Sequence, residues 1–416
     1  LSRQKEVYKI PYETHPEDRL RQCVFGGTSN ALDLTEQFRE SGRIIEENLL
    51  KILEKRNAGE DAIRNQIKIN KNVEKFIKNT GNIDNLSDIQ YVGKLLELCH
   101  LFKNAHISVK YPDFLYPDGK RFLNQNFFYF AGRIYIVKDD KFYEVDNIGG
   151  WNVDKICKSF DKYLSYETKE WQEVQLCRML NFDILYKILG IDYSNITLKN
   201  GEKLPCSASE NCFDYYSCFP PFRKQDDEVF NCSVLENRIL KIGYYICDNI
   251  YADKFVKLLA DIKEIFKNNS IDCYILDIRG NVGGNSELIH PLLEFLKEKS
   301  LQGVTLTDNR VFSSGTFALY YAKKILNTTS IGQPLGQGNA RFGQSSGRII
   351  LGKSFFIRHT EKYFNFRDAF NGEGAIKPDI EVPLTIDDIS SKTDKTLIFA
   401  RDYIKNIIIK QQNNEK

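Results

Sequence analysis

No apolar run in this chain approaches the roughly 20 residues that a helix needs to cross a bilayer, so no membrane span is expected. An excess of one charge is lacking as well. The 58 Lys and Arg residues nearly balance the 56 Asp and Glu residues, leaving a net charge of +2. That balance removes the electrostatic reason to expect a nucleic-acid partner. There is no internal repeat and no low-complexity tract, which sets aside repeat architectures and compositionally biased tails. The opening residues, LSRQKEVYKI, lack the apolar segment of a signal peptide and do not begin with methionine. They read as the start of a trimmed chain, or of one whose leader has been removed.

What is present is core material. Hydrophobic residues make up 42% and aromatic residues 12% of 416 residues, a length that suits two or three domains. Ten cysteines are less informative. Cys206, Cys212, Cys218 and Cys232 lie close together, without the paired C-x-x-C spacing of a zinc site. Disulfides of an exported protein and ordinary buried thiols both fit them.

Helical spacing of apolar residues between Ala31 and Glu97, such as Ile44, Ile45, Leu49, Leu50, Ile52 and Leu53, predicts two to four helices. Tyr91–Cys99 reads as a helix that gives way to extended chain by Tyr111. Phe127–Val145 alternates like a β-hairpin around a Lys-Asp-Asp-Lys turn, and Val153–Leu189 reads as helical. Asn200–Asn231 is polar and rich in Cys, Pro and Asp, the texture of a linker or long loop. Beyond it strands and helices alternate. Ile239–Cys247, Cys273–Ile278 and Gly303–Asp308 read as strands, and Ala252–Phe266, Leu288–Lys297 and Phe317–Ile325 as helices. That order predicts an α/β domain with a mainly parallel sheet. The expected division is a helical region over 1–100, a mixed α+β middle module with the Cys-rich loop over 101–232, and a catalytic domain over 233–416.

Four local patterns carry chemistry. Leu276–Ser286, LDIRGNVGGNS, ends a buried strand in glycines that can expose backbone N–H groups as an anion cradle. It is neither a Walker A nor a G-x-G-x-x-G fingerprint. VFSSGTFALYYAKKI, from Val311, sets Ser313 and Ser314 before a helix. There a serine either caps the helix, as Thr316 also could, or serves as a nucleophile in the field of the helix N-terminus. NAHISV, from Asn104, puts His106 where a helix yields to a strand, whereas His100 sits among apolar residues and reads as a core histidine. FNGEGAIKPDIEV, from Phe370, reads alone only as a turn and a strand.

Taken in order, these patterns resemble the tail-specific, or C-terminal processing, serine peptidases, which share their catalytic core with the tricorn protease. The matching residues are Asp277-Ile278-Arg279-Gly280-Asn281-Val282-Gly283-Gly284, the serine turn within Thr305–Ala318, Ile331-Gly332 with Gly336 and Gly338, and Pro378-Asp379-Ile380. The resemblance spans roughly Ile239–Leu384. It implies an α/β fold with a crotonase/ClpP-like catalytic core, and a serine peptidase acting on peptide or protein substrates without metal or cofactor. It also implies Ser313 as nucleophile and an oxyanion hole from the N–H groups of Gly284 and Ser314, with Gly283 beside them.

The lysine of the Ser–Lys branch falls at Gln337, which cannot take a proton from serine. Lys323 and Lys324 lie on the helix after the nucleophile. The histidine-dependent branch fits better, with His106 as base, although Asn104 stands where that branch has an acidic residue. The resemblance places a glutamate in the last glycine-rich turn, which gives Glu373 as third member and Asp368 as runner-up. A Gly-Leu-Gly-Phe-like carboxylate loop is missing, so the middle module is at most a degenerate PDZ-like unit.

Two rival readings are a ligand- or peptide-binding protein on the same scaffold and a crotonase-like enzyme acting on acyl-CoA. The first has no reason to keep Ser313, His106 and Glu373 together. The second calls for a basic nucleotide-recognising patch that is not visible. The resemblance favours an extracytoplasmic location, with the cytoplasm as the alternative.

Overall fold

The computed structural model describes residues 23–24, 34–223, 229–352 and 355–414. Three helices, Leu34–Lys55, Glu60–Asn79 and Asp88–Leu101, form the N-terminal region. Their apolar stripes meet, burying Ile45, Leu49, Val73, Ile77, Leu95 and Leu98 in one core. Ser87 and Gln90 form a capping box that fixes the start of the third helix.

Glu46 is buried in this bundle, and its Oε1 has no hydrogen-bond partner. Burial, reinforced by Glu74, raises its pKa to about 7. A carboxyl raised on folding favours the folded state while protonated, and that support is lost as pH rises from its unfolded value through about 7. Glu46→Gln is therefore expected to stabilise the fold by about 1 kcal/mol at pH 8, with the gain shrinking toward pH 5. Urea unfolding at both pH values checks this.

The middle module is built on an antiparallel sheet in the order Phe127–Phe130, Arg133–Lys138, Lys141–Ile148, Asn195–Leu198 and Lys203–Pro205. Asp139 and Asp140 both take positive φ, 50° and 58°, as a two-residue hairpin turn requires. Helices Val153–Asp161, Lys169–Met179 and Ile184–Leu189 cover it. The Cys-rich stretch differs from the linker texture of its sequence. Tyr215, Tyr216, Cys218 and Phe219 are buried against Phe128 and Tyr135, because aromatic residues spaced among the polar ones supply an apolar face. Residues 224–228 of that stretch lie outside the described residues. Cys206, Cys212, Cys218 and Cys232 are all free thiols, so the disulfide reading of this cluster is not met.

The C-terminal half holds a six-stranded sheet in the order Phe230–Leu235, Ile239–Tyr244, Cys273–Asp277, Gln302–Thr307, Thr329–Gly332 and Ile380–Glu381. The first pair is antiparallel and the remaining pairs are parallel. Both faces are covered, as a parallel sheet demands. Leu240, Ile242 and Leu276 face helices Ala252–Asn268, His290–Glu298 and Ser314–Leu326. Ile275, Val304 and Leu306 face Ala400 and Ile404 of helix Lys395–Asn414.

One hairpin leaves this domain. Strands Gly347–Ile350 and Phe356–His359 pair with each other, and the second also pairs with Ser108–Lys110. Ile349 and Ile357 join the N-terminal core. This stitch brings the turn holding His106 against the domain that holds Ser313. Among the described residues no helix is long and apolar enough to cross a membrane.

Candidate active site

The site is assembled where strand ends meet. After the central strand Cys273–Asp277, the chain enters the glycine turn. Asn281, fully buried, organises it. Its side-chain N–H₂ donates to Tyr244 O at 2.9 Å, its Oδ1 accepts from Gly283 N at 3.0 Å, and its carbonyl accepts from Phe312 N at 2.9 Å. Arg279 is held between Asp277 and Asp394 by charge-assisted hydrogen bonds of 2.7–2.8 Å, which fixes the strand end against the C-terminal helix.

Ser313 precedes the helix Ser314–Leu326 with φ 51° and ψ −121°. A non-glycine residue in that region is strained by about 1–3 kcal/mol. Its side chain makes no cap hydrogen bond to the helix, so the capping role is not the one it plays. Instead its Oγ lies 3.2 Å from Nε2 of His106. Both peptide groups of the strained residue are held. Its N–H donates to Oε1 of Gln337, and its carbonyl accepts from Arg341 Nη2 at 2.9 Å.

Gly284 faces this turn with φ 135°, and a Cβ there would lie 2.6 Å from Cys247 O. Only glycine fits such an approach. The Ser314 hydroxyl donates to Gly284 O at 2.7 Å and braces the two segments. The N–H groups of Gly284 and Ser314 have no protein acceptor among the described residues. Gly283 differs: its N–H is already given to Asn281, so it is not available as an oxyanion donor. Gly315 lets the helix close onto the glycine turn, where a Cβ would meet Asn281 O at 2.2 Å.

His106 comes from the turn between helix Asp88–Leu101 and strand Ser108–Lys110. Asn104 Oδ1 accepts its backbone N–H at 2.9 Å. The position needs only an acceptor, so the amide serves where a carboxylate would. Ser345 Oγ donates to the His106 carbonyl at 2.9 Å. One face of the ring is packed by contacts the motifs did not reveal. It stacks on Phe312 at 4.7 Å, and Phe312 stacks on Trp171 at 3.9 Å. Burial, with Arg341 nearby, lowers the His106 pKa to about 3, so the imidazole is neutral at physiological pH.

The third-member expectation is corrected. Nδ1 of His106 is buried and has no hydrogen-bond partner. Glu373 is exposed, and it makes no hydrogen bond or ion pair among the described residues. Asp368 is exposed as well and engages Tyr320 and Lys324. The glycines around Glu373 turn it to solvent, and Phe370 and Ile376 on either side are the residues that go inward. His100 binds Leu164 O through Nδ1 at 2.7 Å, away from the serine.

The carboxylate that does enter the site is Glu167, which accepts from Gln337 Nε2 at 2.9 Å. It precedes helix Lys169–Met179, next to Thr168, whose Oγ1 donates to Gly336 O at 2.7 Å. Glu167, Trp171 and Arg341 sit in no motif, and contacts across 170 positions of sequence bring Glu167 to Gln337. Trp171, one of only two tryptophans, offered the one compositional hint.

No protein-family model and no curated protein sequence matches the chain. Among solved structures, the fold is that of CPAF. Mature CPAF complexed with lactacystin superposes with a TM-score of 0.55 at 11% identity, over 92% of this chain and 99% of that one. Mature CPAF alone gives a TM-score of 0.54 at 12% identity, over 92% and 98%. The chain is thus an α/β protein that shares its architecture with CPAF along nearly its whole length.

Proposed function

We propose that the chain is a serine peptidase of the tail-specific type, acting on peptide or protein substrates. The observation that carries this is the 3.2 Å approach of Ser313 Oγ to His106 Nε2 across a strained turn, with the N–H groups of Gly284 and Ser314 beside it lacking a protein acceptor among the described residues. In this reading His106 carries its proton on Nδ1 and accepts the Oγ proton at Nε2 as Ser313 attacks the substrate carbonyl. The developing oxyanion is met by the N–H groups of Gly284 and Ser314, the latter at the positive end of a helix. His106 then returns the proton to the leaving amine, and water repeats the sequence on the acyl-enzyme. The Phe312–Trp171 stack, rather than a carboxylate, orients the imidazole.

The test is incubation of unfolded protein substrates with wild type and with Ser313→Ala, reading new peptide termini by mass spectrometry. The proposal expects new termini with wild type only. Equal products from both proteins would refute it. A second expectation concerns the stack. Trp171→Leu is expected to lower kcat/KM about tenfold by letting the His106 ring drift, since small displacements of a reacting group are costly. Steady-state kinetics, alongside unchanged far-UV circular dichroism, checks this.

A further inference from the structure

Building on the peptidase reading, we infer that Glu167 and Gln337 form a positioning relay for the nucleophile, in which Glu167 fixes the Gln337 amide so that its oxygen holds the Ser313 N–H. Neither residue touches the reacting atoms, so both are positioning residues.

The argument starts from what each group can do. An ionised carboxylate only accepts hydrogen bonds, and a backbone N–H only donates. Gln337 lies between one of each, giving Nε2 to Glu167 Oε1 at 2.9 Å and taking the Ser313 N–H on Oε1. Thr316 Oγ1 adds a second donor to Oε1 at 3.4 Å. A flipped amide would set carbonyl against carboxylate and N–H₂ against N–H. Glu167 therefore decides the orientation of Gln337, and Gln337 decides whether the strained Ser313 peptide is held. Gln337 is completely buried, so water cannot replace either partner.

Arg341 completes the arrangement. It is buried, donates to the Ser313 carbonyl at 2.9 Å, and has Glu167 as its electrostatic counterpart. Glu167 thus orients the clamp on one side of Ser313 and balances the charge of the clamp on the other. It arrives from the middle module, whereas Ser313, Gln337 and Arg341 belong to the C-terminal half. The relay makes the nucleophile geometry depend on how the two pack.

Burial raises the Glu167 pKa to about 7, against the opposing pull of Arg341 and Gln337. Among the described residues, the charged and titratable groups at this clamp are Arg341 and, across the nucleophile, His106. His106 stays neutral because burial lowers its pKa to about 3. Any loss of nucleophilicity between pH 8 and 6 is then expected to come from Glu167.

The experiment is the rate of Ser313 labelling by a fluorophosphonate between pH 6 and 8, on folded full-length protein. Wild type is expected to slow as the pH falls. Glu167→Gln is expected to be about tenfold slower at pH 8 and flat with pH, as loss of alignment predicts. Gln337→Met is expected to behave alike, and the double variant to be no slower than either single one. If Glu167→Gln does not fold by circular dichroism, Gln337→Met carries the same comparison. Variants that label at the wild-type rate with the wild-type pH dependence overturn the relay alone. Absence of any Ser313 adduct in wild type at every pH overturns the peptidase reading and the relay with it.

Discussion

On the proposed peptidase reading, Ser313→Ala is expected to lower peptide hydrolysis by about 10⁴-fold or more, and His106→Ala by a similar factor. The double variant is expected to be little worse than either single variant, because the two side chains act as one unit. The reason lies in the geometry. Ser313 Oγ faces Nε2 of a histidine whose ring is locked by stacking and is neutral at working pH. Removing Oγ leaves the histidine with nothing to activate. Removing the imidazole leaves a hydroxyl with no other side-chain hydrogen-bond partner among the described residues. Gln337, beside it, is committed to the Ser313 N–H and is not a base. Folding is expected to survive Ser313→Ala, since Ser313 is partly exposed and its side chain supports no helix cap. Kinetics of each variant, with thermal unfolding as control, checks the expectation.

Gly284→Ala is expected to lower kcat by about 10²–10³-fold while changing KM much less, the pattern of a lost oxyanion donor. The methyl would sit 2.6 Å from Cys247 O, and φ at this position is 135°, so the loop must shift. In the proposed mechanism, the N–H of Gly284 then leaves the place where the oxyanion develops. Ser314→Ala provides the contrast. It removes the hydroxyl that braces Gly284 O but keeps the Ser314 N–H, so a loss of only several-fold is expected. Comparable losses from the two substitutions would mean that the brace matters more than the donor. Measuring kcat and KM for both separates the cases.

The α/β order of the C-terminal half was legible because buried strands such as Cys273–Asp277 and amphipathic helices such as Ala252–Asn268 announce themselves over short windows. The serine turn and the Gly283-Gly284 pair were legible for a related reason: strained turns and close backbone approaches restrict residue type locally. His106 was legible from its place at a helix-to-strand junction together with the resemblance. What surrounds it was not. Phe312 and Trp171 stack across sequence-distant elements, and Glu167 reaches Gln337 only through packing of the middle module. Glu373 stands out as the only carboxylate inside that glycine turn, yet glycines permit outward turns as readily as inward ones, and here the residue faces solvent. The stretch Asn200–Asn231 reads as a loop because its Pro, Asp and Asn together outnumber its aromatic residues. Burial depends on the aromatic residues alone.

The most direct measurement is fluorophosphonate labelling of wild type and His106→Ala, with mass spectrometry of the modified peptide. The account predicts one adduct, on Ser313, that disappears when His106 is replaced. An adduct on another residue, or Ser313 labelling that is indifferent to His106, contradicts it.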